Sequence, residues 1–179
     1  RGLASGAHNG ACAKMPRVMT PFIVILLLHF SCALQAMPPR DALSPLCQKI
    51  HDNKYKEIEE LLAAGHSSDQ ANDRTSGVTP LYVAQEYVVS EVRRLSVLRR
   101  LLRVGAWVDG RTADGSTTLM LAAYQGDTDA VSLLLEWGAD PRLRNDAGED
   151  AVSAAMESQH TEIADRLRSA ATAMTEMEA

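Results

Sequence analysis

Cys47 and His51 stand four residues apart, the spacing that places two side chains on one face of a helix. A thiol beside an imidazole is, in outline, a nucleophile and its base. The surrounding sequence names no oxyanion donor and no third group to orient the imidazole, so the pair by itself does not make an active site. His66 and His160 fall at no paired-ligand spacing of a structural zinc site. Asp109, Asp114, Asp140, Asp146 and Glu149 do not follow the order of a calcium loop. Gly105, Gly110 and Gly115 lack the preceding strand and the following Lys-Ser/Thr of a phosphate loop. No enzyme, metal or other cofactor is expected from these residues.

The elements that carry them follow a leader-like segment. No Asp or Glu precedes Asp41, whereas Arg1, Lys14 and Arg17 precede the apolar run from Phe22 to Phe30, and small residues from Ser31 to Ala36 follow it. Basic, apolar and small-residue regions in that order are those of a secretory signal peptide. Residues 1–14 are read as upstream sequence and 15–36 as the signal peptide, with an uncleaved membrane anchor as the alternative. Cleavage after Ala36 or Ala33 starts the chain at Met37 or Leu34 and places it in the periplasm or outside the cell. Of Cys12, Cys32 and Cys47 only the last lies beyond that point, so no internal disulfide is expected. Loss of Arg1, Lys14 and Arg17 takes the net charge from −5 to −8, which disfavours nucleic acid as a partner.

Beyond the leader the sequence repeats. Gly115-Ser116-Thr117-Thr118-Leu119-Met120-Leu121-Ala122-Ala123 is matched by Gly77 and Thr79-Pro80-Leu81-Tyr82-Val83-Ala84, by Gly148 and Asp150-Ala151-Val152-Ser153-Ala154-Ala155, and by Ser44-Pro45-Leu46-Cys47. Units therefore start near 44, 79, 117 and 150. A second landmark, a glycine after a Leu pair, recurs at Gly65, Gly105 and Gly138. It comes 21 residues after Ser44 and after Thr117 but 26 after Thr79, so the second unit holds five extra residues. Ser, Thr or Asp at each start can cap a helix, and Pro fits the first helical turn. Val88, Val92, Leu95, Leu98 and Leu102 recur at helical spacing, so one or both helices of the second unit are longer, with Ser90 and Glu91 as a cap. Arg93, Arg94, Arg99, Arg100 and Arg103 are read as a solvated basic face.

This pattern resembles the ankyrin repeat family, whose repeats are 33 residues long and begin T-P-L-H-x-A. The resemblance runs from about Asp41 to Arg168 and is strongest in the second and third units. It implies an all-α solenoid of helix-turn-helix units joined by β-hairpin-like loops, with an ankyrin domain at 41–170 and a C-terminal tail at 171–179. Cys47 occupies the slot of the family's histidine, a structural position. The resemblance also implies binding of a protein through a concave face built from hairpin tips and the first helices. Carried over position by position, that face contains Glu86, Tyr87, Asp114, Ser116, Tyr124, Gln125, Asp146, Glu149 and Glu157, flanked by Thr75, Ser76, Val78, Ala113, Ala147, Ser158, His51 and Asp52. Tyrosines set among carboxylates, with no basic residue in the set, suit an unknown protein partner with a basic surface. Trp107 and Trp137 are assigned to packing between repeats. The chain is expected as a monomer that meets a membrane only if the leader is uncleaved, as an accessory factor beside a membrane or periplasmic enzyme.

Overall fold

A hydroxyl or carboxylate opens the first helix of every unit. Ser44 Oγ accepts from the Cys47 amide at 3.3 Å, Thr79 Oγ1 from Tyr82 at 3.2 Å, Thr117 Oγ1 from Met120 at 3.3 Å and Asp150 Oδ1 from Ser153 at 2.9 Å. Each bond satisfies one amide that the helix leaves free at its start. The computed structural model describes residues 43–64 and 78–178. Its helices are α1 (Pro45–His51), α2 (Tyr55–Ala63), α3 (Pro80–Tyr87), α4 (Glu91–Arg103), α5 (Thr118–Gln125), α6 (Thr128–Glu136), α7 (Ala151–Glu157) and α8 (Thr161–Glu178). They form four antiparallel pairs. The leader at 15–36, His66, Gly65, Gly77, Thr75 and Ser76 lie outside the described residues.

The pairs stack side by side. First helices pack on first helices (α1 on α3, α3 on α5, α5 on α7), and second helices follow in the later units (α4 on α6, α6 on α8). The core between the layers holds Leu46, Ile50, Leu81, Leu98, Leu101, Leu119, Leu134 and Leu167, all essentially inaccessible. Ala84, Ala122, Ala123, Ala155 and Ala164 are fully buried where helices come close, since a methyl is all the space admits. Between α2 and α4 the join is made by long side chains. The Arg93 guanidinium lies 5.1 Å from the Tyr55 ring centroid, and Arg100 Nε donates to Glu59 Oε2 at 3.0 Å.

Hairpins project between the pairs. The loop from Gly105 to Thr117 closes through an isolated antiparallel bridge between Arg111 and Thr117, with Thr112 N donating to Ser116 O at 2.9 Å. Asn145 N donates to Glu149 O at 2.9 Å in the next hairpin. Consecutive hairpins are tied at three points: Asp140 N to Asp109 Oδ1 (3.0 Å), Arg111 Nη2 to the Arg144 carbonyl (3.0 Å) and Asp146 N to the Asp114 carbonyl (2.9 Å). Gly115, at φ +79°, lies under the last tie. A β-carbon there would stand 3.1 Å from Asp146 Oδ1 and 3.3 Å from the Asn145 backbone, so both its conformation and its lack of a side chain are required.

Of its two helices, the second unit is longer through the second alone. The extra residues of the second unit do not lengthen its first helix, since α3 and α5 are both eight residues long; α4 has thirteen against nine in α6, and one residue more enters the turn before it. That turn is Val88-Val89-Ser90. In the other units the corresponding turn passes through positive φ at Asn53, Gly126 and Gln159. A β-branched residue is strongly disfavoured there, and Val88 takes an extended conformation instead, at φ −81° and ψ 96°. Helical phase is reset at Glu91, so Val92 is 80% exposed although it continues the apolar spacing from Val88. Ser90 holds the N-cap position of α4 without a side-chain cap bond. Finally, residues 171–178 continue α8 rather than forming a separate tail.

Candidate functional site

The residues nominated for partner binding are positioned by the first helices and by the hairpin tips. Asp114 sits at the tip of the second-to-third hairpin, where its Oδ1 accepts from Thr112 Oγ1 and its Oδ2 from Ser116 Oγ at 2.8 Å. Burial acts to raise its carboxyl, but the hydrogen bonds from Thr112 and Ser116 outweigh this and hold it below the ordinary aspartate value. Glu86 ends α3 and accepts from Gln125 Nε2 of the next unit at 3.2 Å. It is an exposed residue, yet the burial its carboxyl does suffer pushes it above the ordinary glutamate value. Tyr87 is half-buried, and its ring meets His51 of the first unit at 4.4 Å between centroids, tilted by 48°. Asp146 and Glu149 share the following tip, Glu149 by way of Asn145, which donates to its Oε2 at 3.0 Å.

The structure joins much of this set. Tyr82, half-buried on α3 and not nominated from the sequence, lies within electrostatic reach of three of its members. Burial raises its hydroxyl strongly, and the nearby charges of Glu86 and Asp114, together with Tyr87, act in the same direction. Its position was a signal, because Tyr82 stands where the family pattern has histidine. Tyr124 is half-buried on α5 and Glu157 is exposed at the end of α7; among the described residues neither bonds to the rest of the set.

Three assignments change. Basic residues do stand among the hairpins that carry the face: Arg144 pairs with Asp150 at 3.2 Å and donates to the Gly148 carbonyl at 2.7 Å, and Arg111 spans the two hairpins. Offsets counted from each unit's start did not sample the positions of these arginines. Trp107 and Trp137 are 58% and 42% exposed, so their rings present surface to solvent as well as flanking the helix ends. The arginines of α4 are not a uniform solvated face. Arg93 and Arg100 reach back to the first unit, and Arg94 pairs with Asp127 of the third at 2.6 Å.

Cys47 and His51 do not make a nucleophile and base. Cys47 is 1% exposed, and burial pushes its thiol up to about 11 against a small opposing effect of Ser44. A reactive cysteine needs the opposite, an accessible thiolate. His51 instead packs against the Tyr87 ring, with Nδ1 3.4 Å from Asp52 Oδ1. Among the described residues no group of three or more His, Cys, Asp or Glu could hold a metal ion, and no helix is long and apolar enough to cross a membrane.

Comparison with known proteins places these helix pairs among described repeats. A family model described as ankyrin repeats (3 copies) matches residues 87–176. The chain is 40% identical over 86 residues to the nuclear factor NF-kappa-B p105 subunit of Mus musculus, covering 48% of this chain and 8% of that protein. It is 32% identical over 136 residues to ankyrin repeat and SOCS box protein 11 of Homo sapiens, covering 74% of this chain and 40% of that protein. With the E3 ubiquitin-protein ligase KEG of Arabidopsis thaliana it shares 28% over 104 residues, 58% of this chain and 6% of that one. The chain thus spans less than half the length of each of these relatives.

Proposed function

The chain belongs to the ankyrin repeat family, and from that premise we propose that it is a non-enzymatic module that binds a partner protein with a basic surface through its concave face. Ankyrin repeats are a general protein–protein interaction module. The observation that supports this particular face is its linkage across units, with Glu86 of α3 accepting from Gln125 of α5 while the adjacent Tyr87 ring packs on His51, so that an aromatic ring and a carboxylate are held at neighbouring positions. Ser116, Tyr124, Gln125, Asp146, Glu149 and Glu157 extend the face along the later units. Hydrogen bonds between hairpins hold the tips in place before binding, which lowers the ordering cost of recognition.

The test is capture of binding proteins with the full chain, followed by affinity measurement for Tyr87→Ala/Tyr124→Ala and for Glu86→Gln. Loss of at least tenfold in the tyrosine pair, with an unchanged helical spectrum, is expected. Full affinity in that variant would remove the concave face from consideration. Tyr87 also touches His51, so Tyr124→Ala alone serves as the variant free of that contact.

Export remains part of the proposal. Expression in a secretory host followed by N-terminal sequencing of the released protein is expected to give Met37 or Leu34 as the first residue. A membrane-retained chain that keeps residues 15–36 would support the tethered accessory factor instead.

A further inference from the structure

At the end of the stack away from the hairpins, the turn of the second unit and the turn of the third stand apart. A cleft of about 460 Å³ opens between them, lined by Gln85, Glu86, Val88, Val89, Glu91, Arg94, Gln125 and the start of α6 from Gly126 to Asp129. Its origin is the turn Val88-Val89-Ser90, which replaces the compact left-handed turn of the other units. At its floor Gln85 is completely buried, a place where a polar side chain needs partners for both ends of its amide. The Nε2 end has them: it donates to Gln125 Oε1 at 2.9 Å and to Asp127 Oδ2 at 3.2 Å. The Oε1 end has none among the described residues. Exchanging the two ends would set an oxygen against the Asp127 carboxylate, so the assignment stands on chemistry. Arg94 Nε is likewise buried without an acceptor, although its Nη groups reach Asp127 Oδ2 at 2.6 Å and the Val88 carbonyl at 3.2 Å.

We propose that this cleft takes an extended basic peptide segment of a partner protein, at a site beside the concave face, with which it shares Glu86 and Gln125. Gln85 and Arg94 both line the cleft, and their orphan acceptor and orphan donor, sealed under its floor, are groups that the N–H and C=O of a peptide satisfy once the side chains above them shift. The rim selects the side chains. Glu86, Glu91 and Asp129 line it, and its one cation, Arg94, is already neutralised by Asp127. Lysine or arginine on the segment is therefore favoured over acidic residues. Val89, 92% exposed, lines the cleft and Val92, 80% exposed, follows on the first turn of α4; together they offer apolar contact to the stem of a long basic side chain.

Random 12-residue peptides displayed on phage and selected on the full chain test this directly. Recovered peptides are expected to be enriched in Lys and Arg. Their binding should fall at least tenfold in Glu91→Lys/Asp129→Lys, two exposed positions whose change leaves Gln85 and the Arg94–Asp127 pair in place. It should remain within twofold in Asp146→Lys/Glu157→Lys, which alters only the concave face. Peptides without basic enrichment, peptides lost only in the second variant, or no recovered peptides would overturn the proposal. A crystal structure with an ordered water joining Gln85 Oε1 to Arg94 Nε, together with unchanged binding in the first variant, would overturn it as well.

Discussion

A methyl group at position 126 would have to displace the His160 imidazole. Gly126 sits at φ +77°, and a β-carbon there would fall 2.5 Å from the His160 ring. Gly126→Ala is expected to cost roughly 1–3 kcal/mol in urea denaturation, from the unfavourable backbone conformation and the displaced imidazole together. Adding His160→Ala should return the second part only. Cys47 gives a different kind of test. Its thiol ionises at 9.0 in the unfolded chain and at about 11 in the folded one, so above pH 9 the unfolded state loses a proton that the native state keeps. Stability attributable to this residue is complete below pH 9 and declines between 9 and 11. Cys47→Ala should remove that slope, leaving the later loss from Tyr82, whose hydroxyl is raised for the same reason. Mass spectrometry after alkylation at pH 8 should show Cys47 modified in urea and protected in buffer.

At the scale of elements, the join between the second and third units rests on charge and amide groups rather than on leucine alone. Asp127 caps α6 by accepting from the Ala130 amide at 3.0 Å, and its other oxygen meets both Arg94 and Gln85. Arg94→Ala would leave that carboxylate buried with only the Gln85 amide and its cap bond. A loss of about 2–4 kcal/mol is expected by thermal or urea unfolding, the lower part of the range reflecting the partial exposure of Arg94. None of this was legible in the sequence, whereas the caps were. Ser44, Thr79, Thr117 and Asp150 act on amides three residues away, so their chemistry is written locally. Gln85 finds its partners forty residues on, and spacing within one unit says nothing about them. Val92 misled for a related reason: its apolar character continues a helical period, but Val88 lies in a turn that breaks the phase. Tyr82 was overlooked as a site residue because it stood in a slot whose usual occupant is structural.

Across the whole molecule, the layers depend on each other through one continuous core. Leu134, fully inaccessible on α6, belongs to it, and Leu134→Ala should cost about 2–5 kcal/mol. Acid acts at the opposite edge. Hydrogen bonding from Arg142 holds the Asp140 carboxyl below its ordinary value, and the Asp114 carboxyl is held low by Thr112 and Ser116 against its burial. Both contribute stability above the ordinary aspartate value near 3.8 that is lost as pH falls through their depressed values. Hydrogen exchange is expected to show the hairpin tips opening before α5 and α6 do. The Asp127 joint also governs how the repeats can be ordered. A preceding unit without Gln at the Gln85 position and Arg at the Arg94 position offers Asp127 neither of these partners. The third unit has Ala123 where the second has Gln85, and it meets its successor through Gly126 against His160 instead. Each boundary thus carries its own key. The repeats are not interchangeable copies, and shuffling or duplicating the second unit would bring together faces that do not fit.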